Sequence, residues 1–320
     1  MGKRLWVAFL VCFSTALCQA QTYPSKPIRM VIDTSPGGIT DILGRLAADW
    51  LTQQVGQQIV VENRVGASGS IAFDYVIKSP PDGYTLLTLA DGNLLVRPHL
   101  AAKVSFDPLN DFVPVFNIAE TPHLLVVPSS LPAGNLAEFV AYAKANPGKL
   151  SYGSPGTGSP PHISLDQFGR VTGVQMVHVP YKGAVQIMPD LIAGRLQAAS
   201  LSLGSTRAGL QSGAIKALAA GATKRLAGLP EVPTSAEAGI PGWQMTAWFG
   251  IFAPKGTSAD IVRLLNGKMQ LMIDDAKTRA RMVELGAEPL GGPAPAFAER
   301  VRADYKHWGQ MVKDTGIKVQ

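Results

Sequence analysis

Residues 28–55 read IRMVIDTSPGGITDILGRLAADWLTQQV, and the pattern in this stretch sets the fold class. The run from Ile28 to Asp33 is short, apolar and rich in β-branched residues, as a buried strand requires. Ser35-Pro36-Gly37-Gly38 is turn chemistry. From Thr40 to Val55 the residues Ile42, Leu43, Leu46, Ala47, Trp50 and Leu51 fall on one helical stripe, which predicts a helix laid against a sheet. Working outward, the unit repeats: a strand over 58–62, a turn-rich stretch over 63–70, a helix over 71–78 and a strand over 84–88. Such alternation predicts an α/β protein with a parallel, doubly wound sheet.

A second series of similar size begins after Phe112. It predicts strands over 124–127, 150–152, 176–179, 196–201 and 215–219, with helices over 136–145, 160–171, 184–193 and 206–211 between them. Beyond the Pro- and Gly-punctuated stretch 229–242, residues 247–253 predict one more strand. Three helical stretches, 259–272, 275–285 and 294–313, close the chain. A chain that ends this way after crossing into a second α/β unit is expected to return to the first. The expected division is domain 1 over 21–120 plus 250–320 and domain 2 over 121–249, with hinge segments near 119–121 and 248–250.

The composition suits two packed domains: 320 residues, 46% apolar and 16% charged. Lys3 and Arg4 precede an uncharged stretch from Leu5 to Cys18, followed by Gln19 and Ala20. That is the pattern of a cleavable export signal over 1–20, too short to span a bilayer. Lipid attachment at Cys18 is disfavoured by Leu17, since that chemistry wants a small residue before the cysteine. Cleavage after Ala20 removes both cysteines, and with them any disulfide, thiolate nucleophile or Cys-based metal site. It also leaves 27 basic against 23 acidic side chains, a spread-out excess without basic clusters, so nucleic acid is not expected as a partner.

Ligands of open α/β sheets bind at the carboxyl ends of strands. Two loops stand there. Asp33 to Asp41 connects the first strand to its helix, and its glycine pair lets backbone N–H groups at a helix N-terminus approach an anion. Tyr152 to Pro160 (YGSPGTGSP) does the same in the second unit, with hydroxyls and free amides expected to face a helix start. If the units face each other, the two helix N-termini can clamp an anion or the two ends of a dianion. Tyr181-Lys182-Gly183 opens another helix as a third candidate. Each of these turns also has a purely packing explanation.

Catalytic signatures are missing. Gly156-Thr157-Gly158 starts a dinucleotide fingerprint but Pro161 occupies its last glycine position, and no P-loop or G-x-S-x-G elbow occurs. The histidines at 99, 123, 162, 178 and 307 lack metal-ligand spacing. His162 is expected to cap or pack rather than catalyse. Neither a cofactor nor a metal is expected, and an enzymatic function is disfavoured.

Along the mature chain the sequence resembles the Bug family, the periplasmic solute receptors of tripartite tricarboxylate transporters. The residues that carry the resemblance are Tyr23-Pro24-Ser25-Lys26-Pro27-Ile28, Pro36-Gly37-Gly38 with Thr40-Asp41, Val60-Val61-Glu62-Asn63-Arg64, and Pro81-Asp82-Gly83-Tyr84-Thr85-Leu86. Further on they are Tyr152-Gly153-Ser154 with Gly156 and Gly158-Ser159, His178-Val179-Pro180-Tyr181-Lys182-Gly183, Val232-Pro233-Thr234 and Trp248-Phe249-Gly250. The resemblance implies a type II, Venus-flytrap architecture of two doubly wound domains joined by a hinge. It also implies a monomer that captures a small mono- or dicarboxylic acid and delivers it to integral-membrane permease subunits. By position it places Pro36, Gly37, Gly38, Thr40 and Asp41 on one jaw. Ser154, Gly156, Thr157, Gly158, Ser159, Tyr181 and Lys182 fall on the other, and Gly92 and Asn93 at the cleft wall.

Two departures from the family pattern bear on the ligand. Ile39 stands where relatives often have a third glycine, and crowds the loop or walls it with an apolar group. Leu201-Ser202 stands where relatives often have Asp-Asn, which argues against a ligand with an ammonium group. The expected ligand is therefore a carboxylate without a balancing cation. The alternative role is a co-sensor that docks, when liganded, on a membrane sensor kinase.

Overall fold

The computed structural model describes residues 23–317, so the expected export signal and both cysteines lie outside it. The chain starts with strand β1 (Ile28–Ile32), helix α1 (Ile39–Val55), strand β2 (Ile59–Asn63), helix α2 (Ser70–Ile77), strand β3 (Thr85–Ala90) and short helix α3 (Arg97–Leu100). A 3-10 turn (Ala67–Gly69) precedes α2 and a π turn (Gly92–Val96) precedes α3. Strand β4 (Phe112–Pro128) leads to helix α4 (Leu136–Ala145), strand β5 (Leu150–Ser154), helix α5 (Pro160–Thr172), strand β6 (Met176–Pro180) and helix α6 (Ile187–Ile192). Then come strand β7 (Ala198–Ser202), helix α7 (Leu203–Gln211), strand β8 (Ile215–Ala220) and strand β9 (Thr246–Pro254). Helices α8 (Ala259–Asp274) and α9 (Ala276–Glu284), a two-residue strand β10 (Glu288–Pro289) and helix α10 (Ala294–Thr315) follow.

Two lobes form around two sets of strands. In the first, β1 lies parallel between β2 and β3, and β9 joins antiparallel to β3 and to the first part of β4. In the second, β5 lies parallel to β6 and β7, while the last part of β4 runs antiparallel to β7 and β8. The sheets are therefore mixed, not parallel throughout as the alternation predicts. The antiparallel pairs arise because β4 and β9 each cross between lobes, in opposite directions, and meet as neighbours.

Strand β4 departs furthest from the sequence reading, which predicts a strand only over 124–127. It runs for 17 residues. Pro114 and Pro122 lack a backbone donor and break the pattern expected of a strand interior. The structure tolerates the break at Pro114 because the β4–β9 ladder shifts register beside it, between Pro114 and Phe116, and again between Asn117 and Ala119, whereas Pro122 stands in the last pair of that ladder, opposite Thr246. The two expected hinge segments are direct partners in that ladder, with Ala119 opposite Phe249 and Glu120 opposite Trp248.

Burial explains the elements that the sequence does predict. In β1 every residue but Arg29 is buried, as suits a strand covered on both faces. Helix α1 buries Leu43, Ala47, Ala48 and Leu51 on that sheet, and α8 packs against α1, where Trp50 Nε1 donates to Lys268 O at 2.9 Å. The C-terminal helices thus rejoin the first lobe. One apolar cluster is continuous from lobe to lobe and includes Phe73, Phe168, Trp243, Trp248, Phe297 and Trp308. The helix expected over 184–193 is instead a 3-10 turn (Ala184–Gln186) followed by α6.

Candidate functional site

The loop between β1 and α1 is held in shape by Asp41. This nearly buried carboxylate accepts from Gly37 N at 3.0 Å, from Arg45 Nε at 3.0 Å and from Asn63 Nδ2 at 2.8 Å, while Asn63 Nδ2 also reaches Thr34 O. Burial alone would raise the Asp41 carboxyl, but the bonds from Arg45, Gly37 and Asn63 outweigh it and hold it below the usual carboxylate range. Gly37 sits at φ +84, a conformation that favours glycine, and Gly38 is the N-cap of α1 without a side-chain cap. The first-turn N–H groups of Ile39, Thr40 and Asp41 therefore have no intrahelical partner, the usual setting for an anion.

The loop between β5 and α5 differs from expectation. Its amides are mostly engaged inside the protein: Gly156 N donates to Ser154 Oγ at 3.2 Å, Gly158 N to His162 Nδ1 at 2.9 Å and Ser159 N to Gly156 O at 3.2 Å. Pro160 and Pro161 take the first two helical positions and remove two further donors. Of the loop residues, Thr157 keeps an exposed side chain. Below the loop, His162 and His178 stack with ring centroids 3.6 Å apart, and His178 Nε2 lies 2.7 Å from the buried Ser154 Oγ. Burial pushes His178 down to about 4, helped by its neighbour His162, and burial also lowers His162. Both imidazoles are neutral at ordinary pH, which lets His162 Nδ1 accept from Gly158. The capping role expected for His162 is thus what the loop uses.

A cleft of about 590 Å³ separates the lobes at this loop. One wall is Gly92, Asn93, Val96, Arg97 and Leu100 of the first lobe, with Ser68; the other is Pro155 to Pro160 of the second. Arg97 is the cation in this cleft. Its Nη1 donates to Ala67 O, and its Nε is buried without a partner. A carboxylate bridging Arg97 and the second lobe would pair the guanidinium with an anion across the cleft. Two other hollows compare poorly. One of about 400 Å³, lined by Tyr152, Asp166, Arg170 and Met176 among others, touches the second lobe alone. Another of about 520 Å³ touches both lobes but gathers Asp91, Glu120 and Asp304 against Lys224 and Arg300, which disfavours an anion.

The sequence profile described as tripartite tricarboxylate transporter family receptor matches residues 43–317. The chain belongs to that receptor family. Three solved structures bear it out. An R. palustris protein, Rpa4515, determined with adipate, is 37% identical with a TM-score of 0.81, covering 92% of this chain and 99% of its own. MatC (Rpa3494) from Rhodopseudomonas palustris, determined with bound malate, is 31% identical with a TM-score of 0.75, covering 91% of this receptor and 100% of its own chain. The periplasmic binding protein BugD is 31% identical with a TM-score of 0.76, covering 93% and 100%. The receptor has the Bug-type periplasmic-binding-protein fold.

Within the receptor, the cleft brings together Gly92, Asn93, Gly156, Thr157, Gly158 and Ser159 from the expected set. Pro36, Gly37, Gly38, Ile39, Thr40 and Asp41 are not among its lining residues, nor are Ser154, Tyr181, Lys182 and Ser202. Ser154 is buried, with its hydroxyl tied to Gly156 and His178. Tyr181 donates its hydroxyl to Asp190 Oδ2 at 2.5 Å; burial, then that bond, push the phenol up to about 12. Lys182 is exposed, and Ser202 Oγ lies 3.0 Å from Ser205 Oγ at the start of α7. Arg97 is the residue the sequence reading misses, because a lone arginine in a helical turn carries no spacing signal.

Proposed function

We propose that this chain is an exported receptor that captures a small mono- or dicarboxylic acid between its lobes and hands it to the permease subunits of a tripartite tricarboxylate-type transporter. The observation that carries this reading is the interlobe cleft itself, with Arg97 on one wall and the Pro155–Pro160 loop of the other lobe facing it. Adipate and malate in two relatives of the same fold support the carboxylate class. No described helix is long and apolar enough to cross a membrane. Export to the periplasm after cleavage of residues 1–20 agrees with that.

In this account the moving bodies are residues 21–120 with 250–320 and residues 121–249, and the paired crossing strands around Glu120 and Trp248 form the hinge. Ligand held by both lobes stabilises the closed form, and that form is what the permease reads. In the same account closure brings the acid toward the first-turn amides of α1, which lie outside the lining of the cleft. The protein binds as a monomer and leaves its ligand chemically unchanged. Calorimetric titration with adipate, malate and glutamate tests the reading: it expects one-to-one binding of a simple carboxylate and none of the amino acid. Binding of glutamate alone, or conversion of the acid to a product, overturns it.

A further inference from the structure

Asp33 lies directly after β1 and is almost fully buried, against Gly69 and Asn93. Asn93 Nδ2 donates to Asp33 Oδ2 at 2.9 Å. The other carboxyl oxygen, Oδ1, is buried with no partner, and so is the neighbouring Thr34 Oγ1. Leaving a buried acceptor unfilled is costly, so a carboxyl group held this way calls for an explanation beyond packing.

Its partner supplies one. Asn93 lines the interlobe cleft, and Asp33 does not. An ionised carboxylate can only accept. Asn93 must therefore turn its N–H toward Asp33, which leaves its carbonyl oxygen as the acceptor available to the cleft. The cation there, Arg97, can only donate, and Asn93 Oδ1 answers the opposite need: a hydrogen-bond donor on the ligand.

We propose that Asp33 is a positioning residue for Asn93, and that the pair selects carboxylic acids bearing a hydroxyl group over the same acids without one. The proposal rests on the carboxylate-receptor reading and deepens it. When Asp33 takes up a proton, its O–H can donate to Asn93 Oδ1; the amide then rotates and shows N–H to the cleft, where it can serve the carboxylate oxygens that acids with and without a hydroxyl share, so the preference for a hydroxyl narrows. Burial raises the Asp33 carboxyl to about 7, opposed by the bonds from Asn93 and its own backbone.

Several charged groups lie on the elements around Asp33. Arg64 after β2 and Arg97 on α3 bring guanidinium groups to these elements. Asp41 on α1 is paired with Arg45, Glu62 on β2 with Arg64, and Asp74 on α2 accepts from Ser105 Oγ. Asp91, two residues before Asn93, is also raised to about 7, by burial and by Asp304. It is the group from which Asp33 has to be distinguished.

Malate and succinate differ only by a hydroxyl group, so the ratio of their dissociation constants reads the proposal directly. Calorimetry on the protein and on Asp33→Asn, at about pH 8.5 and about pH 6, is the test. In the unaltered protein malate is expected to bind about tenfold tighter than succinate at the higher pH and within about threefold at the lower. In Asp33→Asn the ratio stays within about threefold at both. A wild-type ratio independent of pH, or a pH-dependent ratio that persists in Asp33→Asn and so belongs to Asp91, overturns the proposal while leaving the receptor reading intact. If neither acid, nor adipate, binds the unaltered protein, the carboxylate reading falls and this inference with it.

Discussion

Gly92 and Pro160 meet across the cleft: a methyl group added at Gly92 would lie 2.9 Å from Pro160 Cγ. The first belongs to the π turn after β3, the second to the first turn of α5, so the contact joins the two lobes at the point where ligand is expected to join them. Gly92→Ala should hold the lobes slightly apart. The expected result is about tenfold weaker binding of adipate with an unchanged melting temperature, read by calorimetry and thermal unfolding. Because Gly92 is not in the left-handed region, backbone strain does not confuse the outcome.

Arg97 carries the charge in that wall. A charge-assisted bond contributes about 1.5–3 kcal/mol, so Arg97→Ala should weaken carboxylate binding by roughly 10- to 100-fold. Arg97→Lys should restore only part of it, since lysine cannot present the planar fork. Titration of both variants with adipate checks this, and full affinity in Arg97→Ala would remove Arg97 from the site.

The first loop separates conformation from contact. Gly37, at φ +84, should lose about 1 kcal/mol of stability on substitution by alanine. Gly38 has an extended N-cap conformation, and an added methyl would meet only Ser35 O at 3.6 Å, an ordinary contact. Gly38→Ala should therefore fold as well as the unaltered protein, and any loss of affinity it shows reports on the first-turn amides of α1 directly. Urea unfolding with parallel titrations reads both effects.

Acid should loosen the second loop through His178. Its folded value of about 4 lies below the unfolded value of about 6.5. The unfolded chain thus binds more protons between these limits, and the contribution of neutral His178 is complete above the upper limit and lost as pH falls to the lower. His123, pushed down to about 4 by burial, acts in the same direction. Asp33 and Asp91, raised to about 7, act oppositely: their contribution is present at low pH and lost as pH rises through that value. The difference between the unaltered protein and His178→Asn isolates one group. Urea midpoints should fall less in the variant between about pH 7 and pH 5; parallel curves would count against the stacked-imidazole account.

The β1–α1 unit was legible because its burial follows directly from its pattern: an apolar run, a glycine turn and a helical stripe. The crossing strand β4 was not, because Pro114 and Pro122 read as breaks, and the register shift beside Pro114 and the ladder end at Pro122 that accommodate them arise only in tertiary pairing. The antiparallel placement of β9 escaped because no helix lies between β8 and β9, so the strand–helix alternation that implies parallel neighbours does not reach it. At the site, glycine-rich turns pointed to Gly156–Ser159, yet the sequence could not show that His162 and Ser154 already occupy their amides. Arg97 and Asp33 became visible only when the cleft and the bond to Asn93 gave them neighbours.

Everything above turns on whether the two lobes hold one small carboxylic acid between them. Native mass spectrometry of the protein purified gently after export reads it without a guess at the ligand. The expected spectrum shows a single small acidic molecule bound one-to-one, released on denaturation and displaced by excess adipate or malate. A protein that carries no such adduct and takes up none of these acids when they are added would contradict it.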